Sequence, residues 1–443
     1  MAEPGLDTIA AIATPVGTGG VGIVRLSGPR AVAIVAELLG KEASALGDRI
    51  LTYGVVRDGA GQRLDDVLAV AMRGPRSFTG EDVSEIHAHG GRVNVGKVLA
   101  AAVDAGARHA EPGEFSRRAF MNGRLDLAQA EAILGVIEAG GERAWRMSQA
   151  ALAGALGETV REQRRQIAAA RAEIEVAIDF PEEGVEPKDI KLLGERIAEI
   201  GGAVRALAAT YEVGRRLAGG LEVALVGPVN AGKSSLLNAL VGSERALVDD
   251  SPGTTRDVVE ARVVWNGVEI SLLDTAGQRD GVTGVEARGM AVGARRAAAA
   301  DVVIELWPAD GPAMPRDEGD RRRVRVVSKA DLVAGEGLGQ RAIPVTSART
   351  GAGVEALKQK ILEVALGEPA EGGDGALVWT DRQRATLASA ARDLETAAAG
   401  VALAPELVAA DLRSAEARLS EILGEGVGDE VLDELFARFC IGK

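Results

Sequence analysis

The stretch Gly227-Pro-Val-Asn-Ala-Gly-Lys-Ser234, which follows the apolar run Leu221-Glu-Val-Ala-Leu-Val226, decides how the rest of the chain is read. Its pattern is G-x-x-x-x-G-K-S. The glycines let backbone N–H groups point inward at a β-phosphate, and the helix that follows adds the positive end of its dipole. Lys233 is spaced to reach β- and γ-phosphate oxygens, and the Ser234 hydroxyl to sit on Mg²⁺.

Companion motifs follow in order. Asp274-Thr-Ala-Gly277 ends the apolar run Val268–Leu273, so Asp274 is expected to hold Mg²⁺ through water and the Gly277 amide to meet a γ-phosphate. Gly253-Thr-Thr-Arg-Asp257 offers a switch threonine, with Thr255 the better second hydroxyl for Mg²⁺. Ser328-Lys-Ala-Asp331 follows the run Val324–Val327, and a carboxylate there can accept both guanine N–H donors. Ser347-Ala-Arg349 completes the base pocket. The usual form of the base motif is N-K-x-D. Here serine replaces asparagine, so a pocket less firmly tied together and weaker nucleotide affinity are expected, with guanine selectivity kept by Asp331.

Working outward, residues 219–376 alternate strand and helix texture, with strands expected at LEVALVG, VVEARVVW, VEISLLD, DVVIELW, VRVVS and AIPVTS. That alternation predicts a mostly parallel, Ras-like α/β P-loop domain. Residues 121–218 and 377–443 are Ala/Leu/Glu/Arg-rich with helical spacing, broken at Asp179–Asp189 by Pro and Gly. The α/β domain is therefore expected to be inserted into a discontinuous α-helical domain. In its last segment Val431, Leu432, Leu435, Phe436 and Phe439 are expected on one face, with Asp429 as the helix cap. Residues 1–120 mix short β-like runs with Gly/Pro punctuation and read as a compact α+β domain.

Of 443 residues, 65 are acidic and 51 basic, a net charge of −14 that excludes a global cationic field for nucleic acid or anionic membrane. RNA contact then needs a local patch, such as Arg161–Arg165 or Arg321–Arg325, or a partner; both clusters read equally well as solvated charge. The single cysteine, Cys440, excludes an intramolecular disulfide framework. No apolar run reaches the roughly 18 residues of a membrane span, so no membrane association and a cytoplasmic setting are expected. His87, His89 and His109 lack a cysteine cluster and do not form a zinc pattern.

The chain also resembles the MnmE (TrmE) family of tRNA-modification GTPases from end to end. The resemblance lies in DTIAAIATPVGTGGVGIVRLSGPRA (7–31), SFTGEDVSEIHAHGG (77–91), EPGEFSRRAFMNGRLDLAQAEA (111–132), VGPVNAGKSSLLNAL (226–240), DDSPGTTRDVV (249–259) and the closing FCIGK (439–443). It implies a homodimer joined through an N-terminal domain that also binds a reduced folate, formyl- or methylene-tetrahydrofolate. It implies G domains that pair when GTP and potassium are bound. It further implies a heterotetramer with the flavoprotein MnmG (GidA), which carries FAD, acting on carbon five of the wobble uridine of certain tRNAs.

Residue by residue, the implied GTP-binding set begins with Asn230, Ala231, Gly232, Lys233, Ser234 and Ser235 of the P-loop. It continues through Asp249, Asp250, Ser251, Pro252, Gly253, Thr254 and Thr255, then Asp274, Thr275, Ala276 and Gly277. Ser328, Lys329, Asp331, Ser347, Ala348 and Arg349 form the base side. Asn230, Asp249, Ser251 and Thr254 match the family's potassium site, where K⁺ neutralises charge building between the phosphates as an arginine finger does elsewhere. Glu286 matches the water-orienting glutamate and is favoured; Gln278, directly after DTAG, stands where small Ras-like GTPases carry theirs and stays a second candidate. Arg25, Glu85, Arg124 and Lys443 fall at folate-binding positions, with Arg124 where some members have lysine. Cys440 reads either as a small core residue or as a catalytic, site-lining thiol. Two other classes remain: a bare regulatory switch, which needs neither the N-terminal motifs nor FCIGK, and a folate-dependent transferase without GTP hydrolysis, which a complete P-loop set opposes.

Overall fold

The computed structural model describes residues 7–179, 187–242, 261–274, 299–311, 314, 319–332, 343–367 and 375–442. The chain divides into two compact units, Met1–Leu134 with Ser420–Lys443, and Gly135–Leu419.

The first unit is built on strands β1 (Ile9–Ile12), β2 (Gly22–Ser27), β3 (Thr52–Arg57), β4 (Arg63–Met72), β5 (Val83–Ala88) and β6 (Arg108–His109). They pair in the order β3-β4-β5-β2-β1-β6, antiparallel throughout except for β1 with β6. Strand alternation decides which residues face the core. Val24, Leu26, Val67, Ala69, Ala71 and Ile86 share a core with helices α1 (Ala31–Leu38) and α2 (Arg92–Asp104). By the same period of two, Arg25, Glu85 and His87 are turned from that core and only partly covered.

Helix α3 (Glu114–Met121), the start of α4 (Leu127–Glu138) and the C-terminal helix Asp429–Phe436 form a second cluster around Leu127, Ala130, Leu432, Phe436 and Phe439. Its rings are tilted, with centroids 6.4 Å apart for Phe120–Phe436 and 5.5 Å for Phe436–Phe439. Two expectations from sequence fail in this helix. Asp429 is the first helical residue and Gly428 the cap, so its carboxylate complements the helix dipole without bonding an end amide. Val431, expected on the buried face, is 44% exposed.

The second unit holds helices α5 (Glu142–Leu152), α6 (Ala155–Asp179), α7 (Pro187–Ala209) and α8 (Tyr211–Gly219), and then a five-stranded sheet. Its strands β7 (Leu221–Val226), β8 (Ala261–Trp265), β9 (Val268–Asp274), β10 (Val302–Pro308) and β11 (Arg323–Ser328) pair in the order β11-β10-β7-β9-β8. All pairings are parallel except that of β8, which closes the edge antiparallel to β9. The central strands are apolar on both faces, as a covered parallel sheet requires. Val223, Leu225, Ile270, Leu272, Ile304 and Leu306 are buried on one side, and Ala224, Leu273 and Val303 on the other.

After the sheet, helix Asp381–Gly400 returns to pack against α7, which precedes the sheet in sequence. Thr380 starts that helix with a capping box, its hydroxyl accepting from Gln383 N while the Gln383 side chain accepts from Thr380 N. The α/β domain is thus inserted between helical segments that meet across it. AIPVTS is not a full strand: Val345 makes one parallel bridge to Val327. Pro344 lends its carbonyl to Val327 N at 2.9 Å but has no N–H to extend a ladder.

Candidate nucleotide site

β7 lies where the strand order reverses, with β10 on one side and β9 on the other. In an open parallel sheet the carboxyl end of such a strand opens into a crevice. Residues 227–232 follow β7 into that crevice, and helix α9 (Lys233–Val241) begins immediately after. Gly227 sits at φ +152°, and a Cβ there would come within 2.4 Å of Leu306 O on β10. Asn230 at φ 62° and Gly232 at φ 88° complete the loop's turn into the helix. Lys233 Nζ donates to Gly227 O and to Pro228 O, both at 2.9 Å. An ammonium has three protons, so one remains for a phosphate oxygen. Ser234 and Ser235 are exposed on the first turn of α9, and Asp274 ends β9 in register with Leu225.

The far side of the crevice comes from the ends of β10 and β11. A cavity of about 150 Å³ is lined by Gly232, Ser235, Leu236, Ser328, Lys329, Asp331, Leu332, Thr346, Ala348 and Arg349. Ser347 Oγ donates to Asp331 Oδ1 at 2.5 Å, and Arg349 Nε lies 2.9 Å from Asp331 Oδ2. The Ser347 hydroxyl foremost, with the Arg349 charge adding to it, holds the Asp331 carboxyl below the usual carboxylate range. Lys329, at φ 58°, is 3.8 Å from Asp310 Oδ1. Ser328 is buried, and its hydroxyl donates to Ala231 O at 2.6 Å. The tie between base loop and P-loop, expected to weaken with serine, is therefore made by the hydroxyl.

A separate polar cluster occupies the first unit. Arg25 and Glu85 face each other across β2 and β5, and Arg25 Nε lies 2.9 Å from Glu85 Oε1. His87 Nε2 is 3.0 Å from Glu85 Oε2. Burial works to raise the Glu85 pKa, yet the His87 and Arg25 bonds outweigh it and hold the carboxyl low. The Arg25 guanidinium stands 5.9 Å from the ring centroids of both Phe78 and Phe115, within cation–π range. It also donates to Gly442 O at 3.5 Å, which places the C-terminal tail beside this pair.

Cys440 is exposed, so core packing is not its role. Arg124 is exposed with its stem over Gly80, and no hydrogen bond or ion pair joins it to Arg25 or Glu85 among the described residues. Sequence reading missed the neighbouring network, in which buried Arg118 meets Asp7 at 2.7 Å, Glu114 at 3.0 Å and Glu81 at 3.2 Å. Only the four-residue spacing of Glu114 and Arg118 on one helix hinted at it.

The family model for the MnmE helical domain matches residues 127–440, and that for the GTP-binding protein TrmE N-terminus matches residues 8–124. This chain belongs to the MnmE family. The tRNA modification GTPase MnmE of Synechococcus sp. (strain JA-2-3B'a(2-13)) is 42% identical, covering 99% of both chains. The protein of the same name from Nitratidesulfovibrio vulgaris (strain DP4) is 43% identical, again over 99% of both. The solved G domain of the T. maritima FeoB iron transporter is 27% identical and covers 33% of this chain and 98% of its own, with a TM-score of 0.25, too low to bear on the fold.

The remaining positions singled out by the MnmE resemblance lie outside the described residues: Asp249, Asp250, Ser251, Pro252, Gly253, Thr254, Thr255, Thr275, Ala276, Gly277, Gln278, Glu286, Lys443 and the Asp274 side chain. Of the four positions expected to hold potassium, only Asn230 is described, with its side chain exposed. No helix among the described residues is long and apolar enough to cross a membrane.

Proposed function

We propose that this chain is a potassium-activated GTP hydrolase that works with the flavoprotein MnmG (GidA) on carbon five of the wobble uridine of certain tRNAs. A carboxymethylaminomethyl or aminomethyl group is built there from a reduced folate one-carbon unit. One observation carries the nucleotide half of this reading. Lys233, the first residue of the helix after β7, and Asp331, after β11, stand beyond the carboxyl ends of parallel strands of one sheet, one for phosphates and one for a base, with Ser328 and Ala231 hydrogen-bonded between the two connections. Family membership over the whole chain carries the tRNA half.

The chain's own groups divide the work. Asp331 accepts N1–H and N2–H of guanine, a pattern adenine does not offer. Lys233 gives its third proton to a β/γ oxygen. The Ser234 and Thr255 hydroxyls and the Asp274 carboxylate make an all-oxygen set suited to Mg²⁺, and Asn230, Asp249, Ser251 and Thr254 supply the oxygens for K⁺. When bound, the two ions neutralise charge on the phosphates, and the folate supplies the carbon unit. Glu286 orients the attacking water, with Gln278 as the second candidate.

In the first unit Glu85 accepts pterin N–H groups, while Arg25, Arg124 and Lys443 meet glutamyl carboxylates and Cys440 lines the same site. We assign residues 1–120 to folate binding and dimerisation, 219–376 to the G domain, and 121–218 with 377–443 to the helical domain. The assembly is a homodimer that joins MnmG in a cytoplasmic heterotetramer, and GTP hydrolysis drives conformational change through G-domain pairing.

The test is a reconstitution. The chain, MnmG, unmodified tRNA, GTP, methylene-tetrahydrofolate and glycine or ammonium are combined in potassium buffer, and tRNA nucleosides are read by mass spectrometry. A uridine modified at carbon five is expected only with GTP present. No product, or the same yield without GTP, contradicts the reading.

A further inference from the structure

Resting on the guanine assignment above, we infer that Ser328 gives guanine N7 no hydrogen bond, because it has spent its only proton on the P-loop, so that the base is read through its Watson–Crick edge at Asp331. Ser328 is 4% exposed, and its Oγ lies 2.6 Å from Ala231 O. A carbonyl cannot donate, so the direction of that bond is fixed: the hydroxyl gives and Ala231 accepts. A hydroxyl has one proton. Everything Ser328 can still present to its surroundings is a lone pair.

Guanine's outer edge carries N7 and O6, both acceptors. Either atom brought against a Ser328 lone pair therefore sets acceptor against acceptor. Asparagine at this position would differ, since its carboxamide has two N–H donors and can tie the P-loop with one while offering the other to a base. The neighbouring hydroxyls do not make up the loss. Thr346 Oγ1 donates to Val327 O at 3.4 Å, and Ser347 Oγ donates to Asp331 at 2.5 Å. Ser328 thus ties its own loop to the P-loop and has no proton left for the base.

The experiment measures GDP, 7-deaza-GDP and inosine diphosphate binding to the full chain by calorimetry. 7-Deaza-GDP, in which N7 is a C–H, is expected within about twofold of GDP, whereas inosine diphosphate, lacking the 2-amino group, is expected at least roughly tenfold weaker. A tenfold loss with 7-deaza-GDP overturns the inference. Inosine diphosphate binding as tightly as GDP overturns the Asp331 reading, and the inference with it. Ser328→Asn restores a second donor, so that variant is expected to bind 7-deaza-GDP at least about fivefold more weakly than GDP. A variant as indifferent to N7 as the parent overturns the role given to Ser328.

Discussion

Ser347 Oγ donates to Asp331 Oδ1 at 2.5 Å, joining two loops sixteen residues apart in sequence. The bond fixes one oxygen of the carboxylate and is the first cause of its pKa lying below the usual carboxylate range. Ser328 anchors the start of the same loop to the P-loop. The loops at Ala231, Asp331 and Ser347 are therefore tied to one another through two serine hydroxyls.

Replacing the carboxylate tests its part directly. Asp331→Asn puts an amide donor where guanine offers its own donors, and GDP affinity is expected to fall roughly 100-fold or more. Xanthosine diphosphate, whose C2 carbonyl accepts, is expected to recover much of the loss. Equal GDP affinity in variant and parent, measured by fluorescent-nucleotide displacement, would remove Asp331 from the site.

Acid dependence follows from the same bond. A carboxyl with a lowered folded-state pKa is ionised, and gives whatever depends on that charge, above its ordinary value; the contribution is lost as pH falls through the lowered value. Asp331 is held below the usual carboxylate range, first by Ser347. GDP binding by the parent is therefore expected to hold down to about pH 5 and fail only in stronger acid. Ser347→Ala should move the failure to higher pH, a shift that titrating GDP affinity from neutral pH downward would reveal.

Gly227→Ala tests the P-loop backbone. The added methyl meets Leu306 O at 2.4 Å in a φ of +152°. Strain of this kind costs about 1–3 kcal/mol, and relief by shifting the loop would displace residues 227–232 ahead of α9. At least a tenfold loss of GDP affinity is expected with far-ultraviolet circular dichroism unchanged.

In the first unit, Arg118 has a side chain only 5% exposed and meets three carboxylates. Arg118→Met leaves Asp7, Glu81 and Glu114 short of their cation, a change expected to cost about 3–5 kcal/mol in urea denaturation. Arg118→Lys keeps the charge with fewer donors and should lose less. Equal stability of parent and methionine variant would show that the network adds nothing.

Much of this architecture is legible in sequence because its signals are local. The P-loop, the apolar runs that become β7, β9, β10 and β11, and the two flanking helical zones each declare themselves within a few residues. The Arg118 network is not legible, since Asp7, Glu81, Glu114 and Arg118 meet only after β1, the residue 77–82 loop and α3 are assembled. Cys440 follows the buried Phe439 and suits the core equally well on paper; only the fold shows it exposed. The Ser328 substitution is visible, but its bond to Ala231 depends on how β11 ends beside the P-loop, and helix periodicity cannot distinguish Gly428 from Asp429 as a cap.

Potassium-activated hydrolysis with Glu286 orienting the water stands or falls on GTP turnover in potassium against sodium, by the full chain and by Glu286→Ala. Turnover is expected to be at least roughly tenfold faster in potassium, with near-complete loss of that advantage in the variant. Equal rates in the two ions, or an unimpaired Glu286→Ala enzyme, would contradict it.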